Sequence, residues 1–388
     1  MFANASPHSD PSQHSAFQHL IPPPGGHPAE HVANSSCPCR SAPFSFSAFQ
    51  FSAFLSLPSI LHHQRLPDHG HVSIERLFEG IRQEFSPEWQ VQVSVSPQAS
   101  HGILPRLMNL RAVSRLKADL HHIVGDVHYL AFGLPGNKLV LTIHDCAALE
   151  RLKGWRRELL RQLWFVQPMR RAAVVTTISE TTKEELRRWV GDLADKVVVI
   201  PNCVRAEFQP HPQPFNTKCP VVLQVGTGWN KNVVGVARAL IGTPCRLEIV
   251  GEMDSFQRAA LDASRVSYRE LGRISDGDLL LAYRRCDLVV FASHYEGFGL
   301  PILEAQAIGR PVVTSNLSSM PEAAGEGALL VDPADPQAIH RAVIEVISDP
   351  ALRERLIQAG FENVARYRPE AVARRYEAVY AKLLEAGT

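Results

Sequence analysis

The sequence predicts an α/β protein with two doubly wound domains that face each other across a cleft, preceded by a largely disordered leader. The first observation is the length, because 388 residues suffice for two or three domains. The second is an alternation of short β-branched runs with amphipathic segments from about residue 71 onward, typical of parallel sheets covered by helices. The third is a proline-rich break over residues 206–219, which we interpret as the linker between domains 71–205 and 220–388.

The leader, residues 1–70, has an unusual composition. It holds 10 of the 28 prolines and 8 of the 17 histidines but only five charged residues. Such a segment buries too little apolar surface to offset the entropy of ordering it, so we predict disorder for most of it. Residues 41–61 are uncharged and long enough for a membrane anchor or signal sequence, but their serines and prolines favour a low-complexity segment. A start site placed too far upstream is the other alternative.

The charge balance and the cysteine content exclude some classes of protein. With 40 Lys and Arg against 39 Asp and Glu, the chain lacks the basic surplus of a nucleic-acid-binding protein, so we expect no nucleic-acid partner. Seven cysteines do not amount to a disulfide framework. We therefore expect a cytoplasmic protein, with peripheral association at the inner face of the membrane left open, and no prediction for its oligomeric state.

The predicted strands are short apolar runs, as expected for strands covered on both faces. The first domain contains five, over residues 90–95, 120–124, 138–143, 173–178 and 196–200. The second domain contains six, over residues 220–225, 246–250, 266–271, 287–292, 311–315 and 328–331. Amphipathic patterns predict helices between them, among others over residues 74–84, 181–189, 277–285 and 334–347.

The loop over residues 293–311 carries the strongest functional signal. A buried strand ends, a glycine-containing turn follows, and Pro301 suits the first position of a helix that Gly309 ends. Gly297 and Gly299 allow the backbone to approach a ligand closely. Because a helix N-terminus presents free N–H donors and a positive dipole end, this turn predicts a site for a diphosphate.

Two carboxylates flank this predicted anion site, namely Glu296 in the turn and Glu304 about one turn inside the helix. Carboxylates repel phosphate, so their presence indicates hydrogen bonds to hydroxyl groups of a sugar and a ribose. The alternative is structural: Glu304 caps its own helix and Glu296 is merely solvated.

The motif from Glu296 to Glu304, with Gly-Phe-Gly after the first glutamate, resembles the signature of family 4 glycosyltransferases, which have the GT-B fold of two Rossmann-like domains. The resemblance covers about residues 71–388 and continues in the segments 310–316, 321–325 and 328–333. It implies that Glu296 contacts the donor sugar and Glu304 the nucleotide ribose. The backbone of Gly297, Phe298, Gly299 and Leu300 would then cradle the phosphate and the sugar.

Further donor-side residues follow the first strand of the second domain, in Gly226-Thr227-Gly228-Trp229-Asn230-Lys231. Lys231 can neutralise the departing diphosphate without a metal ion. The family often has an arginine where this chain has Thr227, so only the lysine carries over. Arg273 is a candidate for bordering the nucleotide base.

The candidate residues of the first domain follow its predicted strands. His144 and Asp145 come directly after the strand 138–143. The resemblance implies that His144 lies near the reaction centre, while Asp145 either orients the imidazole or binds the acceptor. Asp126 and His128 are candidates for the acceptor side.

Three further polar motifs have structural alternatives. Ser179 is predicted to cap the next helix and only secondarily to face the cleft. His121, His122, Asp126 and His128 lack a spacing that selects zinc, so a metal site is disfavoured. Asp276-Gly277-Asp278 precedes a helix, so its carboxylates are predicted to cap that helix rather than bind a metal ion.

The resemblance implies a retaining transfer of a hexose-type sugar from a nucleotide diphosphate to a hydroxyl group of a glycan, lipid or small molecule, with neither metal nor cofactor. It also implies that the last helix, residues 369–385, returns to the first domain. Members of the family usually begin with a strand and a glycine-rich loop, whereas residues 66–75 contain one glycine after a poor strand. Either residues 59–72 supply a degenerate version or the first strand is missing.

That departure leaves two alternatives to a glycosyltransferase open. One is a non-catalytic or impaired protein that binds sugar nucleotides. The other is a different GT-B enzyme, such as an epimerase or a phosphorylase.

Overall fold

Parallel strands in two sheets form the framework of the protein. The computed structural model describes residues 57–67 and 73–386. Residues 1–56 of the predicted leader, which include most of the candidate anchor at 41–61, lie outside the described residues. Within them, each sheet has six strands, and all of the paired strands are parallel. The predicted architecture of two doubly wound α/β halves is therefore confirmed.

The first sheet has the order β2-β1-β3-β4-β5-β6. Its strands are β1 (Ser59–Gln64), β2 (Gln90–Val95), β3 (Leu120–Ile123), β4 (Leu139–Ile143), β5 (Val174–Thr177) and β6 (Val197–Val199). Every residue of β4 is buried, which explains its uninterrupted apolar sequence.

The second sheet has the order β12-β11-β10-β7-β8-β9. Its strands are β7 (Val221–Val225), β8 (Arg246–Val250), β9 (Tyr268–Gly272), β10 (Leu288–Phe291), β11 (Val312–Ser315) and β12 (Leu329–Val331). The segment 200–220 between the sheets contains neither helix nor strand.

Helices cover both sheets. They are α1 (Ser73–Gln83), α2 (Ile103–Val113), α3 (Ala147–Arg151), α4 (Gly154–Leu160), α5 (Gln167–Arg171), α6 (Glu180–Val190), α7 (Val233–Ala239), α8 (Ser255–Ser264), α9 (Asp276–Arg285), α10 (Leu300–Ile308), α11 (Met320–Ala324), α12 (Pro336–Ser348), α13 (Pro350–Ala365) and α14 (Pro369–Glu385). Within the described ranges, no helix is long and apolar enough to cross a membrane.

The first domain begins earlier than the predicted boundary at residue 71. Strand β1 pairs with both β2 and β3, so it is an interior strand of the first sheet and not part of a leader. The sequence His62-His63-Gln64 looks too polar for such a strand, yet all three side chains are buried. Residues 59–64 thus supply the strand, which agrees with one of the two alternatives. The loop that follows is only partly described, since residues 68–72 are not.

Each histidine of β1 places its Nε2 against another buried polar group, whereas the buried Nδ1 atoms of His62 and His63 have no hydrogen-bond partner within the described residues. The Tyr380 hydroxyl lies 3.0 Å from Nε2 of His62 and 2.6 Å from Nδ1 of His122, and Nε2 of His122 lies 2.7 Å from the Thr142 hydroxyl. Tyr380 belongs to α14, so these hydrogen bonds hold the last helix of the chain against the first sheet.

The neighbouring histidines do not converge on a metal ion. His63 Nε2 lies 3.0 Å from His121 Nδ1, whereas His122 faces Tyr380. Successive side chains of a strand point to opposite faces of the sheet, which separates His121 from His122. Among the described residues, no group of three or more His, Cys, Asp or Glu side chains could hold a metal ion.

These buried histidines predict that acid destabilises the fold. Burial lowers the pKa of His63 to about 3 and the pKa values of His62 and His122 well below the ordinary value. The unfolded chain, with a histidine pKa of about 6.5, therefore binds more protons than the folded chain below that pH. We expect the free energy of unfolding to fall between pH 7.5 and 5.5, by up to about 1.4 kcal/mol per pH unit for each such histidine.

Urea unfolding at several pH values measures this dependence. His63→Gln should reduce the slope, whereas His101→Gln, at an exposed position, should leave it unchanged. A free energy of unfolding that stays constant over this pH range would contradict the prediction.

Candidate functional site

The candidate site lies where the strand order of the second sheet reverses. The chain runs outward from β7 through β8 to β9, then returns to β10 on the other side of β7. The loops after β7 and β10 therefore separate at this point and leave a crevice, which is where ligands bind in open α/β sheets. Lys231 follows β7 and Glu296 follows β10, so the fold brings these two predicted residues together.

Lys231 and Glu296 form an ion pair, with Nζ 2.7 Å from Oε1. The side-chain amide of Asn230 also donates to this carboxylate oxygen, at 3.2 Å, and to the carbonyl of Tyr295, at 2.7 Å. The Lys231 ammonium lies 4.5 Å from the centre of the Phe291 ring, a cation–π distance. The side chains are only 20% and 13% exposed, so each charge neutralises the other in a partly desolvated place.

Gly226 makes room for the lysine. Its φ is +91°, and a Cβ at this position would lie 2.9 Å from Cε of Lys231. Gly226 was predicted to bind the donor, and the close approach that the structure shows there is to the lysine side chain.

Helix α10 begins as an anion-binding helix would. Gly299 precedes it with φ +104°, and no side chain caps its N-terminus. Gly309, with φ +84°, ends the helix as predicted. Pro301 is the second helical residue, not the first, because Leu300 already has helical geometry. The Leu300 amide at this N-terminus lies on the same loop as Glu296, whereas Pro301 has no N–H and the Ile302 amide donates to the Gly299 carbonyl at 3.0 Å.

Glu304 lies one turn inside α10 and is buried, but it does not cap the helix. The Tyr283 hydroxyl donates to its Oε2 at 2.8 Å, and Nη2 of Arg205 lies 3.5 Å from its Oε1. Burial raises the pKa of Glu304, and the charge of Arg205 partly offsets this. Arg205 also lies 3.2 Å from Asp276, which pairs with Arg76 of the first half. The structural alternative, that Glu304 caps its own helix, is therefore wrong, because its partners are Tyr283 and Arg205.

The rest of the loop after β10 is anchored from both sides. The Phe298 side chain is buried against Tyr367, with ring centroids 5.7 Å apart, so only its backbone is available to a ligand. The Glu296 carbonyl accepts hydrogen bonds from the hydroxyls of Ser318, at 2.6 Å, and Ser319, at 2.9 Å. The position of the Glu296 backbone is thereby fixed.

The two halves meet at Gly297. Its carbonyl accepts hydrogen bonds from the hydroxyls of Ser179, at 3.1 Å, and Thr182, at 3.3 Å. A Cβ on Gly297 would lie 3.3 Å from the His144 carbonyl oxygen, so glycine permits this close approach. Ser179 also caps α6 as predicted, accepting from the Thr182 amide at 3.0 Å. The loop with Glu296 thus lies directly beside the residues after β4.

His144 is oriented by the backbone and not by Asp145. Its Nε2 lies 2.9 Å from the Val124 carbonyl, so this nitrogen carries the donated proton. Burial lowers the pKa of His144, outweighing the opposite effect of that hydrogen bond. Asp145 instead accepts from the Ala147 amide at 2.9 Å, at the start of α3. The prediction that Asp145 orients the imidazole is wrong, while its alternative role at the acceptor stays a prediction.

Asp126 and His128 line the same cavity as His144 and Asp145, with a volume of about 810 Å³. Both side chains bind Trp164, which forms part of the cavity wall. The indole of Trp164 donates to Asp126 at 2.8 Å, and the ring Nδ1 of His128 lies 2.9 Å from the Trp164 carbonyl. Burial lowers the pKa of His128.

Thr227 and Arg273 both contact Glu252. The Thr227 hydroxyl donates to the Glu252 carbonyl at 2.7 Å, and the Arg273 guanidinium lies 3.3 Å from its carboxylate. The Arg273 side chain is 75% exposed, so nothing packs it into a defined place for a base. The donor-binding roles of both residues stay predictions.

The cap of α9 is one residue earlier than predicted. Ser275 accepts from the amide of Asp278 at 3.1 Å and donates to its carboxylate at 2.7 Å. Asp276 forms ion pairs with Arg205 and Arg76 instead of capping the helix.

Several residues of the site were not predicted. Asn230, Tyr283 and Arg205 hold the two glutamates, and the Tyr295 hydroxyl donates to Glu185 at 2.9 Å across the two halves. Asn230 adjoins Lys231 in the sequence and could have been found there. The others come from separate segments with no motif, so only the fold reveals them.

Two adjoining family models match the chain. The model described as Glycosyltransferase Family 4 matches residues 76–208, and the model described as Glycosyl transferases group 1 matches residues 206–363. The chain belongs to the family 4 glycosyltransferases. Among curated relatives, the O-antigen chain mannosyltransferase B of Escherichia coli is 28% identical over 50% of this chain and 57% of its own length. The MMP α-(1→4)-mannosyltransferase of Mycolicibacterium hassiacum is 26% identical over 72% and 75%.

Two alignments span less than two thirds of the relative's own length. They are the alignment with the O-antigen chain mannosyltransferase B, which covers 57% of that protein, and the alignment with glycogen synthase of Mycobacterium tuberculosis, which covers 58%. Solved structures cover more of the chain. Sucrose-phosphate synthase from Thermosynechococcus elongatus superposes with a TM-score of 0.69 at 19% identity, covering 85% of this chain and 100% of that one. Anabaena HepE, in complex with UDP and glucose, gives 0.65 at 17%, covering 84% and 100%. These likenesses show the GT-B fold.

The contact between Gly226 and Lys231 can be tested by Gly226→Ala. The new methyl group would displace the lysine side chain, so we expect at least tenfold weaker binding of a nucleoside diphosphate, measured by calorimetry. Gly242→Ala is the matched control, because Gly242 also has positive φ, +78°, but has open space around it. Both variants should lose stability, about 1 kcal/mol from backbone strain.

Equal binding by the wild type and Gly226→Ala would show that the lysine position is unimportant for the anion. An equal loss of affinity for the nucleoside diphosphate in both variants would assign the effect to backbone strain.

Proposed function

We propose that the protein transfers a hexose-type sugar from a nucleotide diphosphate to an acceptor hydroxyl, with retention of configuration and without a metal ion. The ion pair of Lys231 and Glu296 at the N-terminal side of α10 is the observation that carries this proposal. It offers one cation for phosphate and one carboxylate for sugar hydroxyls, side by side. The mannosyltransferases among the relatives, and HepE with UDP and glucose, support donors of this class.

The pairing explains how carboxylates coexist with a diphosphate. A free carboxylate would repel the phosphate, but the charge of Glu296 is neutralised by Lys231 before the donor binds. On binding, the phosphate groups take the Lys231 ammonium and the backbone N–H of Leu300 after Gly299. Glu296 then accepts hydrogen bonds from the sugar hydroxyls, so both charges keep a partner throughout.

The same arrangement serves the reaction. Charge develops on the departing diphosphate in the transition state, where Lys231 and the N-terminus of α10 stabilise it. The leaving phosphate accepts the proton of the acceptor hydroxyl, which attacks from the same face of the sugar. His144 is half-buried and desolvation lowers its pKa, which favours the neutral imidazole, so it can hydrogen-bond the sugar without adding a positive charge. The protein contributes positioning and electrostatic stabilisation.

One observation favours a second candidate, an impaired protein that binds the sugar nucleotide without transferring the sugar. The loop after β1 contains only one glycine, Gly70, where the family usually has a glycine-rich loop. Donor binding without transfer to any acceptor in a product assay would favour this candidate, and an epimerised sugar would point to a different GT-B enzyme.

Lys231→Ala tests the electrostatic role. We expect kcat to fall by roughly 10²–10³-fold, the usual effect of removing a group that stabilises transition-state charge. Lys218→Ala, an exposed lysine of the same half, should leave kcat unchanged. Donor consumption and product formation, followed by mass spectrometry over a panel of nucleotide sugars, measure both variants. Full activity of Lys231→Ala would overturn the site.

Glu304→Gln tests the ribose role. The wild type should bind a nucleoside diphosphate more tightly than its 2′,3′-dideoxy analogue, because the buried carboxylate accepts hydrogen bonds from the ribose hydroxyls. The variant keeps an acceptor for Tyr283 and should lose most of this preference, roughly tenfold for one hydrogen bond to a charged group. The two dissociation constants, compared by calorimetry, give the preference directly. An unchanged preference would remove Glu304 from the ribose site.

A further inference from the structure

The large cavity of the first half has exposed apolar walls. Five of its lining side chains are apolar and at least 39% exposed, namely Ile103, Leu107, Phe132, Leu159 and Leu163. They come from α2, from α4 and from the segments beside them. Exposed apolar surface of this extent costs free energy in water unless something covers it.

One end of the cavity lies beside the donor loop. It is bounded by residues after β1 and after β3, where the strand order of the first sheet reverses, so it occupies the ligand-binding crevice of that sheet. Its polar end contains His144 and Asp145, and a Cβ on Gly297 of the donor loop would lie 3.3 Å from the His144 carbonyl oxygen and 3.6 Å from Cβ of Asp145. A molecule that fills the cavity can therefore reach the donor sugar.

The cavity wall also carries positive charge. Its charged lining residues are three arginines, Arg65, Arg106 and Arg156, against two carboxylates, Asp126 and Asp145. Arg106 and Arg156 line the cavity, and neither forms an ion pair within the part of the chain that the structure describes. The Arg106 guanidinium stacks 5.0 Å from the centre of the Trp164 ring, which holds it in place. An anionic group is the complement of these arginines.

We propose that the acceptor is an amphiphile. Its apolar chain lies on the wall formed by Leu107, Leu159 and Leu163, and its phosphate-bearing head group lies at Arg106 and Arg156. This deepens the proposed function and rests on it, because the head group must carry the hydroxyl that receives the sugar. The apolar and basic surfaces adjoin in one cavity whose other end lies beside the donor loop. A bilayer would instead need a convex or flat surface, whereas this wall is concave and encloses about 810 Å³.

Monomeric alkyl phosphates test the proposal without a known acceptor. Butyl phosphate and dodecyl phosphate, both below the micelle concentration, carry the same head group and differ only in chain length. A completely buried methylene tightens binding about fourfold. We expect dodecyl phosphate to bind at least tenfold more tightly than butyl phosphate by calorimetry, and more tightly than uncharged dodecyl glucoside.

Variants at exposed positions locate the binding without disturbing the core. Leu107→Asn with Leu163→Asn should abolish most of the chain-length preference, and Arg156→Gln should reduce the preference for phosphate over glucoside. Ile241→Asn, at an equally exposed position of the second half, and Arg238→Gln are the controls and should change neither. Equal binding of both alkyl phosphates, or an unchanged preference in the leucine variants, overturns the proposal.

Two further outcomes separate the possible failures. Binding to phosphatidylglycerol vesicles without binding to monomeric dodecyl phosphate would assign the surface to a bilayer and overturn the amphiphile proposal. Nucleoside diphosphate binding is measured on the same samples. Absence of nucleoside diphosphate binding in the wild type would contradict the proposed function. Intact nucleoside diphosphate binding with no preference for dodecyl over butyl phosphate would contradict only the amphiphile proposal.

Discussion

The ion pair between Lys231 and Glu296 is the interaction on which the candidate site depends. It exists because a parallel sheet directs the carboxyl ends of all its strands to one edge, and because β7 and β10 are neighbours across the point where strand order reverses. The groups around it are arranged for this pair: Gly226 leaves space for the lysine and Asn230 shares the carboxylate oxygen. A partly buried pair of this kind contributes little net stability, because desolvation offsets the attraction. Its placement therefore indicates function more than folding.

A comparable constraint shapes the first half. Strand β1 is an interior strand, so His62 and His63 must be buried, and burial keeps both neutral. Their hydrogen-bond partners come from distant parts of the chain, Tyr380 of α14 and His121 of β3. The last helix is thereby tied to the first sheet, although the chain enters that helix from the second half. The docking of the last helix and the stability of the first sheet thus share the same buried contacts.

The sequence predicts most of the fold and the donor-side motif but not their supporting contacts. Eleven strands were recognisable because buried parallel strands are apolar and β-branched, and the loop from Glu296 to Glu304 because glycine, proline and two carboxylates are closely spaced. Strand β1 could be given only as one of two alternatives, because the hydrogen-bond partners of its histidines lie 58 and 318 residues away in the sequence. The partners of Glu304 were missed for the same reason, since Arg205 and Tyr283 lie in other segments.

The two halves differ in the kind of surface that they present to the cleft, and this difference bears on specificity. The donor side consists of paired charges and backbone donors, and under the proposed function these bind groups that every nucleotide sugar has. The opposite side consists of exposed apolar side chains together with Arg106 and Arg156, which form no ion pair within the described residues. Apolar contacts discriminate by size and chain length, not by hydroxyl pattern, so under the amphiphile proposal this surface would select the carrier of the acceptor rather than its sugar. Selection among sugars would then rest on the few polar groups at the junction, His144 and Asp145.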